Sequence, residues 1–311
     1  MVKNPSKNGS KLLKDIWKSK YTYLFILPSL VFVIIFSYIP LYGITLAFKE
    51  YKINLGILGS PWIGFQKFEL LFSYKDFFSA MFNTVIISFG RILFEFPVPI
   101  ILAILLFELR LPRYGRTLQT IYTFPNFFSW VIVAGVLKNF LRLDGFINQI
   151  LATIGIQPIP FLLSEDWFKP ILFITDCWKG MGWSAIIYLA ALTSINTELF
   201  DAATVDGANR LQRTLHITIP CISPTIILCL VLSLASILSG GFDQIFNLIN
   251  PVVKNAGQIL DTYIYSITFE QKPDFGLSTA MGLFTGVISF ALLLSADKVI
   301  RMMNGKGLYT M

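Results

Sequence analysis

Charge is scarce in this chain. Of its 311 residues only 14% are Asp, Glu, Lys or Arg, while 55% are hydrophobic. A soluble domain carries about 25% charged residues, so the shortage excludes an ordinary globular protein and points to one that crosses a membrane repeatedly. Histidine occurs once and cysteine three times. No cluster of metal-ligand spacing can be drawn from so few. Cys177, Cys221 and Cys229 are odd in number and fall in or beside apolar runs, which predicts no disulfide. A G-x-x-x-x-G-K-[ST] phosphate loop is missing as well, and Asn304-Gly305-Lys306-Gly307 does not match one. The first apolar run is too long for a cleavable signal peptide, and no small-residue cleavage site follows it.

What the chain has instead is apolar length, with a mean hydropathy of +0.67. Windows at 21–48, 81–107, 117–137, 168–192, 222–242 and 275–296 are long and apolar enough to cross a bilayer core that takes about 20 residues per helix. They lack the polar face of soluble core helices. The expected fold is an all-α membrane protein of six transmembrane helices over 21–301, with a basic amphipathic segment at 1–20 and a tail at 302–311.

Six spans place both termini on one side. With the N-terminus cytoplasmic, that side holds fourteen basic residues, Lys3, Lys7, Lys11, Lys14, Lys18, Lys20, Arg110, Arg113, Arg116, Arg210, Arg213, Lys298, Arg301 and Lys306. Six acidic residues accompany them, while the outer loops carry eight basic and ten acidic residues. The positive-inside rule therefore sets both termini in the cytoplasm. The net charge of +7 reports topology and predicts no nucleic-acid partner.

Several polar residues break the apolar runs. Residues 1–20 are basic, with Leu12, Leu13, Ile16 and Trp17 on one helical face, as in a helix lying on anionic lipid; residues 1–10 read equally well as a disordered tail. Pro61, Trp62, Gly64 and Phe65 predict an ordered outer loop over 49–76. Arg91 and Glu95 lie one helical turn apart inside the second run, and Pro97 and Pro99 mark a kink beyond them. Ionisable groups at that depth face a bundle interior or a cavity, so the pair reads as part of a solute path or as a clamp between helices. Pro125-Asn126 breaks the third run, and a short re-entrant or outer helix is expected over 145–154. In the fourth run Asp176, Trp178, Lys179 and Trp183 alternate with glycines. Aromatic faces and charged hydrogen-bonders suit a sugar ring, although interfacial anchoring explains tryptophans too. The fifth run ends with Asp243, Gln244 and Asn247, hydrogen-bonders that share part of a helical face or simply close the helix at the outer boundary.

The segment 193–224, between the fourth and fifth runs, is the most patterned part of the chain. Asn196 or Thr197 can cap a short helix with Glu198 in its first turn. Ala202 and Ala203 keep that helix shallow, and Gly207 supplies the backbone freedom to reverse the chain. A second helix follows, with Pro220 and Pro224 at the entry to the fifth span. The result is a helix–turn–helix facing the cytoplasm. His216 reads as a surface contact there rather than a ligand or pH switch.

The run Asp201-Ala202-Ala203-x-x-Asp206-Gly207-Ala208-x-x-x-Gln212, ending Ile217-x-Ile219-Pro220, resembles the EAA loop of permease subunits in binding-protein-dependent ABC importers. Asp201 stands for the usual Glu, Ile219 for the usual Leu, and Thr214 where an aromatic is frequent. Gly115-Arg116-Thr117 through Ser129-Trp130, Trp178-Lys179 through Ala190-Ala191, Asn209-Arg210 with His216-Ile217-Thr218, and Asp261-Thr262-Tyr263 extend the likeness over nearly the whole chain. They resemble the LplB-type branch of the maltose-like permeases, associated with oligo- and polysaccharide uptake.

The resemblance implies a bacterial plasma-membrane subunit that pairs with a second homologous six-span permease. Two ATPase subunits would each take one EAA helix, and ATP and Mg would bind there, with no cofactor or catalytic residue in this chain. An extracellular lipid-anchored sugar-binding protein would deliver the cargo. Two alternatives differ in kind: an importer permease for a non-sugar solute, and an ion-coupled carrier. The second needs no ATPase socket and would show paired broken helices in inverted repeats, which are not evident.

Overall fold

In the computed structural model the described residues are 17–109, 112–235, 238, 240–270 and 273–304. The basic segment expected at 1–20 falls almost wholly outside them, as do Arg110 and the tail from 305 onward. The chain divides into two compact units, Met1–Phe68 with Asp274–Leu283, and Glu69–Pro273 with Phe284–Met311.

The first unit is built on the continuous span Lys20–Phe48, none of whose apolar window is buried. Its α-helical part, α1 (Lys20–Val33), passes through a π turn (Ile34–Tyr38) into a 3-10 stretch (Ile39–Phe48). Pro40 opens that stretch, where its missing N–H would otherwise interrupt the regular ladder. The loop over 49–76 is ordered, as its Pro and Trp content predicts. Buried Lys49 donates from Nζ to the carbonyls of Ile57 (2.7 Å) and Leu58 (3.2 Å) and lies 5.0 Å from the Trp62 ring. Lys67 pairs with Asp274 at 2.7 Å.

The second unit begins with α2 (Lys75–Glu95) and α3 (Pro97–Glu108), one span with a hinge at Phe96, where Pro97 and Pro99 remove backbone donors. Next come α4 (Pro112–Thr123) and α5 (Trp130–Leu141), meeting across a 96° bend at the expected Pro125 break. The short helix α6 (Phe146–Thr153) sits where the glycine at 145 predicts it. The long α7 (Glu165–Thr193) leads to α8 (Thr197–Val205) and α9 (Arg210–Arg213). Beyond these lie α10 (Ile219–Ala235), α11 (Phe242–Leu248), α12 (Leu260–Tyr265) and α13 (Phe275–Asn304), whose first turns belong to the first unit.

Two packed clusters hold this unit together. Ile87, Phe168, Leu172, Ile245, Leu248 and Ile259 bring α2, α7 and α11 into one core, and Ala103, Ala185, Tyr188, Leu192 and Ile222 join α3, α7 and α10 in another. Small residues let the backbones approach: a Cβ on Gly182 of α7 would overlap the backbone of Tyr122.

The span count differs from the six apolar windows. Among the described residues four helices are long and apolar enough to cross a membrane, and the bent pair makes a fifth. The window 168–192 is a continuous helix, but Asp176, Lys179, Gly180 and Gly182 dilute its hydropathy. The window 222–242 is also redrawn. The apolar helix starts earlier, as Arg210–Leu234, and Gly241 separates it from α11 with a left-handed φ of 79°.

Candidate functional site

The loop 193–224 is a helix stop and a helix start placed back to back. Asn196 caps α8, its side-chain oxygen accepting from the Glu198 N–H at 3.0 Å. At the other end the Gly207 N–H reaches the Thr204 carbonyl (3.1 Å) and the Ala208 N–H reaches Ala203 (2.9 Å). This is a Schellman closure, which needs a left-handed residue after the cap; Gly207 has φ 77°. Asn209 and Gln212 then cap each other, the Gln212 N–H donating to Asn209 Oδ1 (2.9 Å) and the Asn209 N–H to Gln212 Oε1 (2.8 Å). Four residues thus reverse the chain and leave few backbone groups of the turn unbonded.

The second arm does not stop at Pro220 as a separate helix would. From α9 it runs through a π turn, Thr214–Thr218, directly into α10. Pro220 has no N–H for the His216 carbonyl, and the wider turn absorbs the missing bond. Arg213 donates to Thr204 Oγ1 across the two arms (3.1 Å), and His216 Nδ1 lies 2.9 Å from the Gln212 carbonyl. Between the arms is a concavity of about 310 Å³, edged by Ala203, Gly207, Ala208, Gln212, His216 and Ile217. Asp201, Ala202, Asp206 and Pro220 are exposed around it.

Deep in the second unit a polar cluster joins three helices. The Arg91 guanidinium on α2 lies 3.4 Å from Asp176 on α7 and 3.9 Å from Glu95 one turn along its own helix. Arg91 also donates to Gln244 on α11. Gln244 is 1% exposed and donates to the Leu172 carbonyl and to Thr175 Oγ1, both at 2.8 Å. Gly241 lets this happen, since a Cβ there would strike the guanidinium.

The remaining candidates separate from that cluster. Asp243 is exposed, and Asn247 bonds back to the Asp243 carbonyl at 2.7 Å. These two share a face of α11, and Gln244 points inward away from them. Lys179 donates to the Asn126 carbonyl at 3.0 Å and lies 5.5 Å from the Trp130 ring, so it ties α7 to the bend between α4 and α5. Trp178 is exposed, and Trp183 meets Phe127 edge-on at 6.2 Å.

Two features escape reasoning from sequence. Asp176 faces Arg91 across 85 positions, a pairing no local spacing reveals. A row of aromatics, Phe242, Phe246, Tyr265 and Phe269, runs beside Asn247 with successive centroids 4.7–5.2 Å apart. The signal available for it was aromatic spacing of one helical turn within each of two segments.

A helical membrane protein with several spans, a rigid helix–turn–helix between two of them and a polar cluster among its helices has the make-up of a permease subunit. No family model matches the chain. It is 38% identical over 300 residues to the polygalacturonan/rhamnogalacturonan transport system permease protein YteP of Bacillus subtilis, covering 96% of this chain and 93% of that one. It is also 38% identical over 302 residues to protein LplB of the same organism, covering 97% and 95%. Among solved structures it matches a chain of a bacterial ABC transporter importing the acidic polysaccharide alginate, with a TM-score of 0.88, 38% identity and coverage of 94% and 99%. A bacterial alginate ABC transporter in complex with an alginate pentasaccharide-bound periplasmic protein matches with a TM-score of 0.88 and 37% identity over 96% and 100%. The chain belongs to the carbohydrate ABC importer permeases, in the LplB-type branch.

Proposed function

We propose that this chain is one of two homologous six-span permeases in an importer that brings a saccharide fragment through a bacterial plasma membrane. ATP hydrolysis, with its Mg, belongs to two separate subunits, and this chain contributes no catalytic group or cofactor. The observation that carries the reading is the back-to-back closure of the 193–224 loop. Two short arms braced by Schellman and capping-box bonds move as one piece, which is what a lever pushed by a closing ATPase requires. In this reading Asp201, Ala202, Ala203, Asp206, Gly207, Ala208, Gln212 and Pro220 form the ATPase socket, with both termini on its cytoplasmic side.

The six-span count is supported by α7. Its 29 continuous residues exceed the length a bilayer needs, and a polar centre suits a helix packed inside a bundle. Cargo chemistry is supported by the polysaccharides named for the relatives, and an extracellular lipid-anchored binding protein by the periplasmic protein of the alginate complex. Trp178 and Asp243 are exposed and Asn247 is half-buried, and all three suit the cargo path. Arg91, Glu95 and Gln244 shape it from behind, and Lys179 braces the bend beside it.

Gly207→Val tests the socket. A β-branched residue cannot hold φ 77° without strain. The expected outcome is a permease pair that still inserts but no longer co-purifies with its ATPase and shows no ATP-dependent uptake. Normal co-purification with normal uptake would refute the docking role.

A further inference from the structure

The loop after the first span is apolar where it is most exposed. Residues 53–66 carry no charge, and at the tip Ile53 and Leu58 are each 81% exposed. Trp62 and Phe65 are exposed as well, and their rings lie beside Phe48, the last residue of the span, with centroids 6.4 and 5.4 Å from it. The tip is not loose chain. Two backbone bonds close its neck, from the Glu50 N–H to Pro61 (3.0 Å) and from the Ile63 N–H to Phe48 (2.9 Å).

The polar groups of the tip are bonded within the loop. Ser60 Oγ donates to the Gly56 carbonyl at 2.6 Å and accepts from the Lys52 N–H at 3.0 Å. The Leu55 and Gly56 N–H groups both reach the Lys52 carbonyl. Lys49 is buried and turns its ammonium onto the Ile57 and Leu58 carbonyls, with no carboxylate in ion-pair contact among the described residues. Taking a lysine out of water is expensive. A tip lying in water has no need of it, because water serves such carbonyls. Hydrocarbon offers no donor, so backbone groups there must be satisfied from within. Lipid is also what adjoins the loop. None of the apolar window of Lys20–Phe48 is buried in the protein, and tryptophan favours the boundary between hydrocarbon and water.

We propose that this tip inserts into the bilayer at the end of the first span, as a fixed wedge among the lipid chains beneath the headgroups. It sets the depth of two helices at once, because the loop is tied to the start of α13. Lys67 pairs with Asp274, and Tyr51 meets the Phe275 ring edge-on at 5.7 Å.

The assembled importer in phospholipid nanodiscs, both permeases and both ATPases, tests this. Leu58→p-benzoylphenylalanine is irradiated and the products are read by mass spectrometry, and the expected product is a phospholipid adduct at position 58. Absence of that adduct overturns the proposal, whether position 58 is joined instead to the second permease, to an added binding protein or to nothing. Thiol chemistry gives a second measurement, with each cysteine followed in its own peptide so that the native ones stay in place. Ile53→Cys should react with a charged methanethiosulfonate about tenfold more slowly than Lys254→Cys, the ratio that withdrawing an aliphatic-sized group from water supports. Lys254 is exposed in the segment before α12. Equal rates at the two positions also overturn the proposal. Neither measurement involves cargo or ATP, so failure here leaves the importer reading standing.

Discussion

Thr214 donates a hydrogen bond to Glu108 at 3.0 Å, joining the loop between α8 and α10 to the end of α3. Beside it, Phe107 and Phe200 bring their rings within 6.1 Å. Thr214 takes the place of an aromatic residue common in the EAA pattern, and the structure gives its hydroxyl a partner in the second span. These two contacts are where the loop grips that span.

Thr214→Val keeps the shape of the side chain and removes the donor. We expect ATPase subunits to co-purify at wild-type levels while uptake per ATP hydrolysed falls severalfold. The ratio of transport to hydrolysis in proteoliposomes measures this, and an unchanged ratio would show that the bond is incidental.

Asn209→Ala removes half of the reciprocal cap with Gln212. Loss of such a cap costs about 1 kcal/mol, which corresponds to roughly fivefold in an equilibrium constant. Binding of the isolated ATPase to the permease pair should weaken by about that factor. Asn209→Ser, which still caps, should restore most of it.

Gly241 and Gly180 should respond in opposite directions to alanine. Gly241 has φ 79°, and a Cβ there would strike Arg91, so Gly241→Ala combines backbone strain with a displaced guanidinium. Gly180 lies within α7 with nothing near its would-be Cβ, and alanine in a helix interior gains up to about 1 kcal/mol over glycine. Thermal melting of the detergent-solubilised complex should fall by several degrees for the first and hold or rise for the second.

The parts of this architecture governed by local chemistry were legible in the sequence. Asn196, Gly207 and the segment after it carry their own cap and turn preferences, so the helix–turn–helix could be drawn before any tertiary contact was known. Pro125 marked its break for the same reason. Gln244 shows where local reasoning stops. Its one-turn neighbours place Asp243 and Asn247 together, but which side of α11 meets α2 and α7 depends on packing across 72 residues of chain. The helix that carries the fifth apolar window begins well before that window because the π turn at Thr214–Thr218 lets it run through Pro220, and backbone widening of that kind leaves no trace in hydropathy.

The Arg91 cluster makes the sharpest demand on stability. Arg91→Met would leave Glu95 and Asp176 facing each other with little water and no cation between them. Removing one partner of a buried ionic group costs about 3–5 kcal/mol, whereas replacing the whole group with neutral residues of similar size is often tolerated. Arg91→Met alone should therefore fail to accumulate in the membrane, and adding Glu95→Gln with Asp176→Asn should restore accumulation. Quantitative immunoblotting of membrane fractions reads both outcomes. If the single variant accumulates normally, the carboxylates are solvated well enough to do without Arg91, and the cluster does not hold α2, α7 and α11 together. If the triple variant accumulates but uptake stays low, the charges serve cargo movement as well as packing.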